Sequence, residues 1–562
     1  MAFDLDDQKL YEFETRRLAA MDKERSSFIA HYRELGEFTQ PRRGQFEGNL
    51  RNRGEKRHRS IINSRATRAL RIARAGMVAG VMSPTRPWFV FEPEDEALLR
   101  FPGVREWFFD AARVTRNIFL SSGLYEAIPI TFENMLLFGT GAISHLSDPV
   151  TIARFVNHPT GSYYIAQNEK MQINTFARTM EMTTDQMVKE FGLARVSREV
   201  KNAWDRGNRD AWFGVVNIID ENPDVDPRKL AIEFKPFRSL YYEPKGERKF
   251  LAARGFDEFP VYVPRWDRTG EDIYATNCPG MEVLGDIKSM QIMERRKAQA
   301  VDKMVRPPLA GPSSLRNTPI EDLAGGSTLY DGEQQNQLRS LYQINPAIAE
   351  LRLDIQAIEQ RINEGFFVDL FMAISAMPGI QPKNQLELLQ RNEERLLQLG
   401  PALRNVNNDL LRPLVIRAFQ QAARAGRIAQ PPRALEAQPI KIRFVSSLAL
   451  AQRVDEIQSI ERVSIFVGQM AGIVGESAID KFNADEAIDK FSQLVGADPD
   501  IVRNTEAANA IREARAQAQQ QALAAQQAEQ QARALQSAGS GIQQLASASA
   551  QTPEATANEP GA

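Results

Sequence analysis

Apolar positions recur at helical spacing from the start of the chain. Residues 4–36 read as a charged amphipathic helix, with Phe28, Tyr32 and Leu35 at i, i+4 and i+7 and Pro41 beyond its end. Further helices are expected at about 60–82 and 103–121, flanking the stretch MVAGVMSPTRPWF, residues 77–89. There a small-residue helix containing Ala75, Gly76, Ala79 and Gly80 stops at Ser83-Pro84, and Pro87 sets the chain just before Trp88-Phe89. Glycine and alanine let a helix approach a neighbour closely, and the prolines end it and direct its exit. A tightly packed helix-to-strand corner is predicted.

Residues 125–275 are mixed, with a large β component. Phe176, Met180 and Met182 alternate with Thr175, Thr179 and Glu181, the pattern of a half-buried strand over 173–182. Thr183 then reads as an N-cap with Gln186 closing a capping box, and Gly192 ends the short helix. Leu230, Ile232 and Phe234 alternate with Ala231, Glu233 and Lys235, which predicts another strand. Prolines at 260 and 264 consign PVYVPRW, 260–266, to a sheet edge or a connection.

A helix from about 281 to 305 ends at Pro307-Pro308, and an irregular Gly/Pro/Ser/Asn-rich stretch, 306–345, suits a small β-turn unit. After Pro346 the apolar positions Ile348, Leu351, Ile355, Ile358, Ile362 and Phe366 form a heptad seam with one slip. About 30 residues at 1.5 Å rise give roughly 45 Å. Two long helices joined by a compact insertion make a stalk with a tip, or an ordinary helical hairpin within a core. A Pro/Gly loop with one lysine, Lys383, follows at 377–385, then a long helix pair to about 427, a short strand at 440–445 and helices to about 497. The segment 512–536 is a strong helix former whose only large aliphatics after Ile511 are Leu523 and Leu535. One copy has no core to fold around, so it is either flexible or held by copies of itself or a partner. Residues 537–562 are Ser/Ala/Gly/Pro/Thr-rich and read as a disordered tail.

Composition narrows the function. Lys+Arg number 70 against 72 Asp+Glu, a net charge of -2, so nucleic acid can be engaged only through local patches or a passage that does not hold it. One such patch is the basic run Arg51, Arg53, Lys56, Arg57 and Arg59, either a solvated loop or a contact for DNA phosphates or an acidic partner. Cys278 is the single cysteine, which excludes an internal disulfide and a thiolate zinc cluster within one chain. The acidic N-terminus lacks a signal-peptide core, and the apolar stretch 464–475 is too short and glycine-interrupted to span a bilayer; a soluble chain, intracellular when made, is expected.

The search for chemistry returns no catalytic constellation and no cofactor site. GTGAIS, 139–144, has glycines but neither the lysine nor the spacing of a phosphate loop. His31, His58, His145 and His158 are scattered. Asp220, Asn222 and Asp224 have the spacing of a calcium loop, but Val225 and Ala231 stand where glycine and glutamate are needed, and Pro223 and Pro227 favour a plain turn. No metal is expected.

The segment 77–89 resembles the helix–Ser-Pro–Arg-Pro-Trp-Phe motif of portal (head-to-tail connector) proteins of short-tailed double-stranded-DNA bacteriophages. HPTGSYYIAQNE (158–169), MTTDQMVKEFG (182–192), PVYVPRWDRTGEDIYATNCPG (260–280), LLQLGPALRNVNNDLLRPLVIRAF (396–419) and IKIRFVSSLALAQR (440–453) resemble that family in the right order, over roughly 5–500. Ala275 and Ser447 depart from it, at positions where the family often has glycine and proline.

The resemblance implies an α+β, mainly helical, portal-type fold. Residues 1–280 would form a wing region, 281–305 and 346–376 two stem helices, 306–345 the clip between them and 377–385 a channel loop. Residues 386–446 would return to the wing, 447–500 form the crown and 505–536 a helix able to pack into a barrel, with 537–562 as tail. Gln381, Lys383 and Asn384 become DNA-channel candidates. The function implied is a ring, expected to be twelve-fold, at one capsid vertex. Double-stranded DNA would pass through it, and its partners would be the major capsid protein, scaffold, the terminase large subunit and a tail adaptor. It would be assembled in the host cytoplasm and end in the virion, without catalytic activity of its own. A tail-adaptor ring and, less favoured, a DNA-packaging enzyme are the rival readings.

Overall fold

The computed structural model describes residues 5–46, 59–101, 103–226, 228, 231, 234–305, 309–310, 339–340, 348–376, 393–435, 438–446, 448, 454–475, 480–495, 501–502 and 505–549. The chain divides into two compact units, 1–459 and 460–562.

The first unit opens with α1 (Gln8–Thr39), capped by the Asp7 carboxylate, which accepts from the Lys9 and Leu10 amides. α2 (Arg65–Val81) buries Ala66, Ala69, Leu70, Ala73, Gly76, Met77 and Gly80 along one stripe. The expected close approach is present: a Cβ on Gly76 would fall 2.2 Å from the Phe371 Cβ, which only glycine avoids. The chain then turns through the prolines into β1 (Phe89–Pro93). Trp88 and Phe89 are wholly buried, and the Trp88 indole donates to the Tyr125 hydroxyl at 3.1 Å. α3 (Val104–Ser121) and α4 (Leu124–Phe138) complete the helical core around this corner.

Next come β2 (Ala142–Asp148), β3 (Ile152–His158), β4 (Tyr163–Gln167), β5 (Ile173–Thr183), α5 (Thr184–Phe191), α6 (Arg198–Asp205), β6 (Trp212–Glu221), β7 (Phe237–Tyr242), β8 (Phe250–Phe256) and β9 (Val261–Tyr262). β4 to β8 form an antiparallel sheet in sequence order. β5 is not half-buried as its alternation suggests. Ala177 packs under Tyr11 and Met21 of α1, while Phe176 faces Tyr163, Ile219 and Tyr274 on the other side, so α1 covers the face that alternation assigns to solvent. The capping box at Thr183 and Gln186 is present. The strand expected over 230–235 does not form in its described part. Phe234 N–H donates to Ala231 and the Asp226 N–H to Phe234, making a turn, and the strand begins at Phe237. Leu230, Ile232 and Glu233 lie outside the described residues. β9 is the edge of a second sheet, β3-β2-β9, as its prolines require.

α7 (Pro279–Glu282) leads into α8 (Leu284–Val305). Two-residue strands β10 (Leu309–Ala310) and β11 (Arg339–Ser340) pair antiparallel and so close the two ends of the 306–345 segment on each other. α9 (Ile348–Gly365) packs back on α8. The second long helix is shorter than the seam predicts. It stops at Gly365, and Phe367 adopts φ +54° before α10 (Val368–Ala376) begins. Eighteen residues give about 27 Å. Gly365 lies against Val283, and Phe366 is buried in the core, so tertiary packing breaks a helix whose apolar period would continue.

The expected helix pair to about 427 is, from 393 onward, one continuous helix: α11 (Glu393–Val406), a π turn over Asn407–Leu411 and α12 (Arg412–Arg424). The wider turn ends two residues before Pro413, which has no N–H to give. β12 (Ile440–Phe444) then pairs antiparallel with β1, Phe89 opposite Phe444, joining positions about 350 residues apart.

α13 (Val454–Val474) enters the second unit at Ile460, followed by α14 (Ala484–Val495) and α15 (Thr505–Ser549). Arg512 donates to both Asp485 carboxylate oxygens at 2.6 Å. No described side chain of this unit is buried. α15 passes through 537–549, where a tail is expected: the alanines, the glutamines and Leu545 there favour the helix across Gly539 and Gly541. Residues 550–562 lie outside the described residues.

Candidate functional site

The base of the α8–α9 pair is the most elaborately fixed polar region among the described residues. Gln291, on α8 and buried, uses its whole amide on the chain entering α2. Its Oε1 accepts from the Ile62 and Asn63 amides at 2.7 and 2.8 Å, and its Nε2 donates to the Asn63 carbonyl at 2.8 Å. The Asn63 Nδ2 donates to Glu294 on α8 and Glu359 on α9, and the Arg65 Nε donates to Asn363 on α9 at 2.9 Å. Arg361 and Asp286 tie the two long helices at 2.9 Å. The chain entering α2, just after the basic run, is thereby tied to both α8 and α9. Arg59 is described there and is exposed; Arg51, Arg53, Lys56 and Arg57 lie outside the described residues. So do Gln381, Lys383 and Asn384, although both flanking helices are anchored in the core, α10 by Leu370 and Phe371 and α11 by Leu399, Ala402 and Leu403.

α2 adds a feature that hydrophobic patterning passes over. Arg65, Arg68, Arg71 and Arg74 follow one another at steps of three. Arg74 reaches the buried Glu133 carboxylate at 2.6 Å, which Arg43 also approaches at 3.2 Å, and Arg65 is held by Asn363. Arg68 and Arg71 are exposed. The signal was in the chain: between Lys56 and Phe91 there are eight basic residues and no acidic one.

Several described groups capable of chemistry are spent on structure. His145 is buried with Nδ1 2.9 Å from the Tyr262 hydroxyl and Nε2 2.7 Å from Gln421 Oε1, joining β2 to α12. Burial, reinforced by Arg417, pushes it down to about 3, so it stays neutral. Ser144 and His158 are 2.6 Å apart, a spacing a nucleophile would share, but both are buried between strands, and burial holds His158 far below its ordinary value. Burial likewise pushes the Cys278 thiol up to about 12. Asp220 faces Arg17 and Arg238, each at 2.8 Å, and Asn222 accepts from the Asp224 amide, so the calcium-like spacing is a plain turn beside a buried ion pair. Arg238 also holds Glu14 of α1 at 2.7 Å.

Among the described residues no group of His, Cys, Asp and Glu could hold a metal, and no helix is long and apolar enough to cross a membrane. In GTGAIS, Gly139 closes α4 at φ +79° and the Gly141 amide donates to Pro264, so these amides are occupied. A cleft of about 380 Å³ between α3 and α12 is lined by Trp107, Phe419, Ile428, Leu435 and Ile440, and among the described residues no ionisable side chain lines it.

Residues 14–502 match the family described as bacteriophage head to tail connecting protein. The chain belongs to this family. A connector-family relative, the portal protein of Salmonella phage epsilon15, is 37% identical over 511 residues, 91% of this chain and 92% of the relative. The probable portal protein of Bordetella phage BPP-1 is 35% identical over 509 residues, 90% of this chain and 91% of that one. A chain in the virion of a native gene transfer agent particle covers 78% of this chain and 91% of itself at 13% identity, with a TM-score of 0.31.

Proposed function

We propose that this connector-family chain is one subunit of a closed ring that admits and releases double-stranded DNA at a capsid vertex. Its function is that of a phage portal protein. The observation that carries the ring is the second unit: α13 exposes Val463, Ile465, Phe466 and Ile473 at 50, 61, 60 and 79%, and no described side chain of this unit is buried in one copy. Apolar helices left open in this way acquire a core by packing against further copies. In this reading 281–305 and 346–376 are the stem, 306–345 the clip that meets terminase and then the tail adaptor, 377–385 the channel loop, 1–280 and 386–446 the wing, and 447–500 the crown. Residues 505–536 form a helical barrel. Gln381, Lys383 and Asn384 face the DNA path, and the basic run 51–59 contacts phosphates or an acidic partner. The strand pair that joins the ends of 306–345 supports a compact tip on a stalk.

Light scattering and negative-stain imaging of the purified chain test this. The expected result is a ring with a central hole near ~750 kDa, twelve copies of 63.2 kDa. A stable monomer that hydrolyses ATP would overturn the reading in favour of a packaging enzyme. A ring that binds no terminase would favour a tail adaptor.

A further inference from the structure

The exposed strip of α2 is built from small and basic residues. Ser64, Arg68, Arg71 and Ala75 are all exposed and follow at steps of four, three and four, so they lie on one face. The opposite face, from Ala66 to Gly80, is buried, and at Gly76 it lies against Phe371 of α10, the helix that leads to 377–385. The neighbouring arginines are committed inward, Arg65 to Asn363 and Arg74 to Glu133. Arg68 and Arg71 therefore carry the outward charge, about 4.5 Å apart along the helix axis, with Arg59 exposed on the chain that enters it.

We propose that Arg68 and Arg71, with Arg59 beside them, form a phosphate-contacting strip for double-stranded DNA. Duplex DNA carries one charge per about 1.7 Å of axis, so two arginines at this spacing meet phosphates in any register. A stable protein interface is usually centred on a large buried apolar or aromatic side chain; the exposed face of α2 offers only serine, alanine and arginine, and the one large apolar side chain exposed beside it among the described residues is Ile62. The chain's net charge of -2 is consistent, because the positive field is local. Two or three phosphate contacts give weak, salt-sensitive, sequence-independent binding, which leaves DNA free to slide. The inference rests on the DNA-conduit reading and names where the wall of that path, or its rim, is positive.

The test is fluorescence anisotropy of a labelled duplex with the full-length chain, in parallel with light scattering to fix its assembly state. For R68A/R71A the slope of log K against log salt should fall by about 1.8, so wild type loses about twelvefold more affinity than the variant between 50 and 200 mM salt. Lysine at both positions should keep the slope, and Ala75→Arg, on the same strip, should steepen it by about 0.9. Equal slopes for wild type, R68A/R71A and A75R, with rings of normal mass, would overturn the strip while leaving the ring intact. Polyglutamate displacing the duplex equally well per charge would also overturn it, in favour of an acidic protein. Failure of the wild-type chain to form a ring would instead count against the conduit reading itself.

Discussion

Phe371 and Phe466 both sit on helices, yet Phe371 is wholly buried and Phe466 is 60% exposed. The first belongs to the unit with four hydrophobic clusters, the second to a unit in which no described side chain is buried. The difference lies in what surrounds the helices, since α13 is as apolar as many core helices. In the first unit each helix meets sheets and helices from distant parts of the sequence: β1 with β12, α2 with α10, α1 over β4 to β8. In the second unit three helices follow one another and the apolar stripe of α13 stays open. The first unit thus closes its core within one copy, and in the proposed reading the second is left for assembly.

That division can be broken by paired substitutions. The largest expected effect is Trp88→Ala, which empties a buried site stacked between Phe119 and Phe444 and should cost about 3–5 kcal/mol. Phe466→Ala should leave the thermal unfolding of the unassembled chain within about 0.5 kcal/mol of wild type, while weakening the ring. Equal losses for the two in calorimetry would mean that the second unit has a core of its own.

Glu14 tests the first unit's polar interior. Burial, and then Asp220, raise its carboxyl to about 7 against Arg238 and Arg17. A folded-state value above the ordinary 4.5 means folding favours the neutral acid. The stability this group contributes is full below about 4.5 and is lost as pH rises through about 7. Glu14→Gln stays neutral, so its melting temperature relative to wild type should climb between pH 5 and pH 8. A constant difference across that range would refute the assignment. Gly76→Val should cost about 1–3 kcal/mol, because its Cβ meets Phe371, whereas Gly468→Val, with open space around it, should leave the monomer's stability unchanged. The smallest effect is Thr183→Ala, about 1 kcal/mol from the lost capping box, read by urea titration.

Much of this was legible in the sequence, and where it was not the cause is physical. The Ser83–Phe89 corner, the Thr183 cap and the edge strand at Val261 follow from prolines, hydroxyls and spacing, all local signals. The break at Gly365 was hidden, because Phe366, Leu370 and Phe371 continue an apolar period and only Val283, far off in sequence, explains the stop. The double coverage of β5 depends on α1, about 160 residues earlier, so alternation within 173–182 could not show it. The arginine strip was visible as a spacing, but only the inward commitment of Arg65 and Arg74 separates it from an ordinary solvated helix face. The channel candidates near Lys383 lie outside the described residues, and their assignment rests on the family likeness.

The most direct test of the divided chain is hydrogen exchange on the full-length protein, comparing ring and monomer fractions peptide by peptide. The account predicts that peptides from 460–495 exchange quickly in the monomer and are protected in the ring. Core peptides around Trp88 and Ile218 should be equally protected in both. Strong protection of 460–495 in the monomer, or none in the ring, would contradict it.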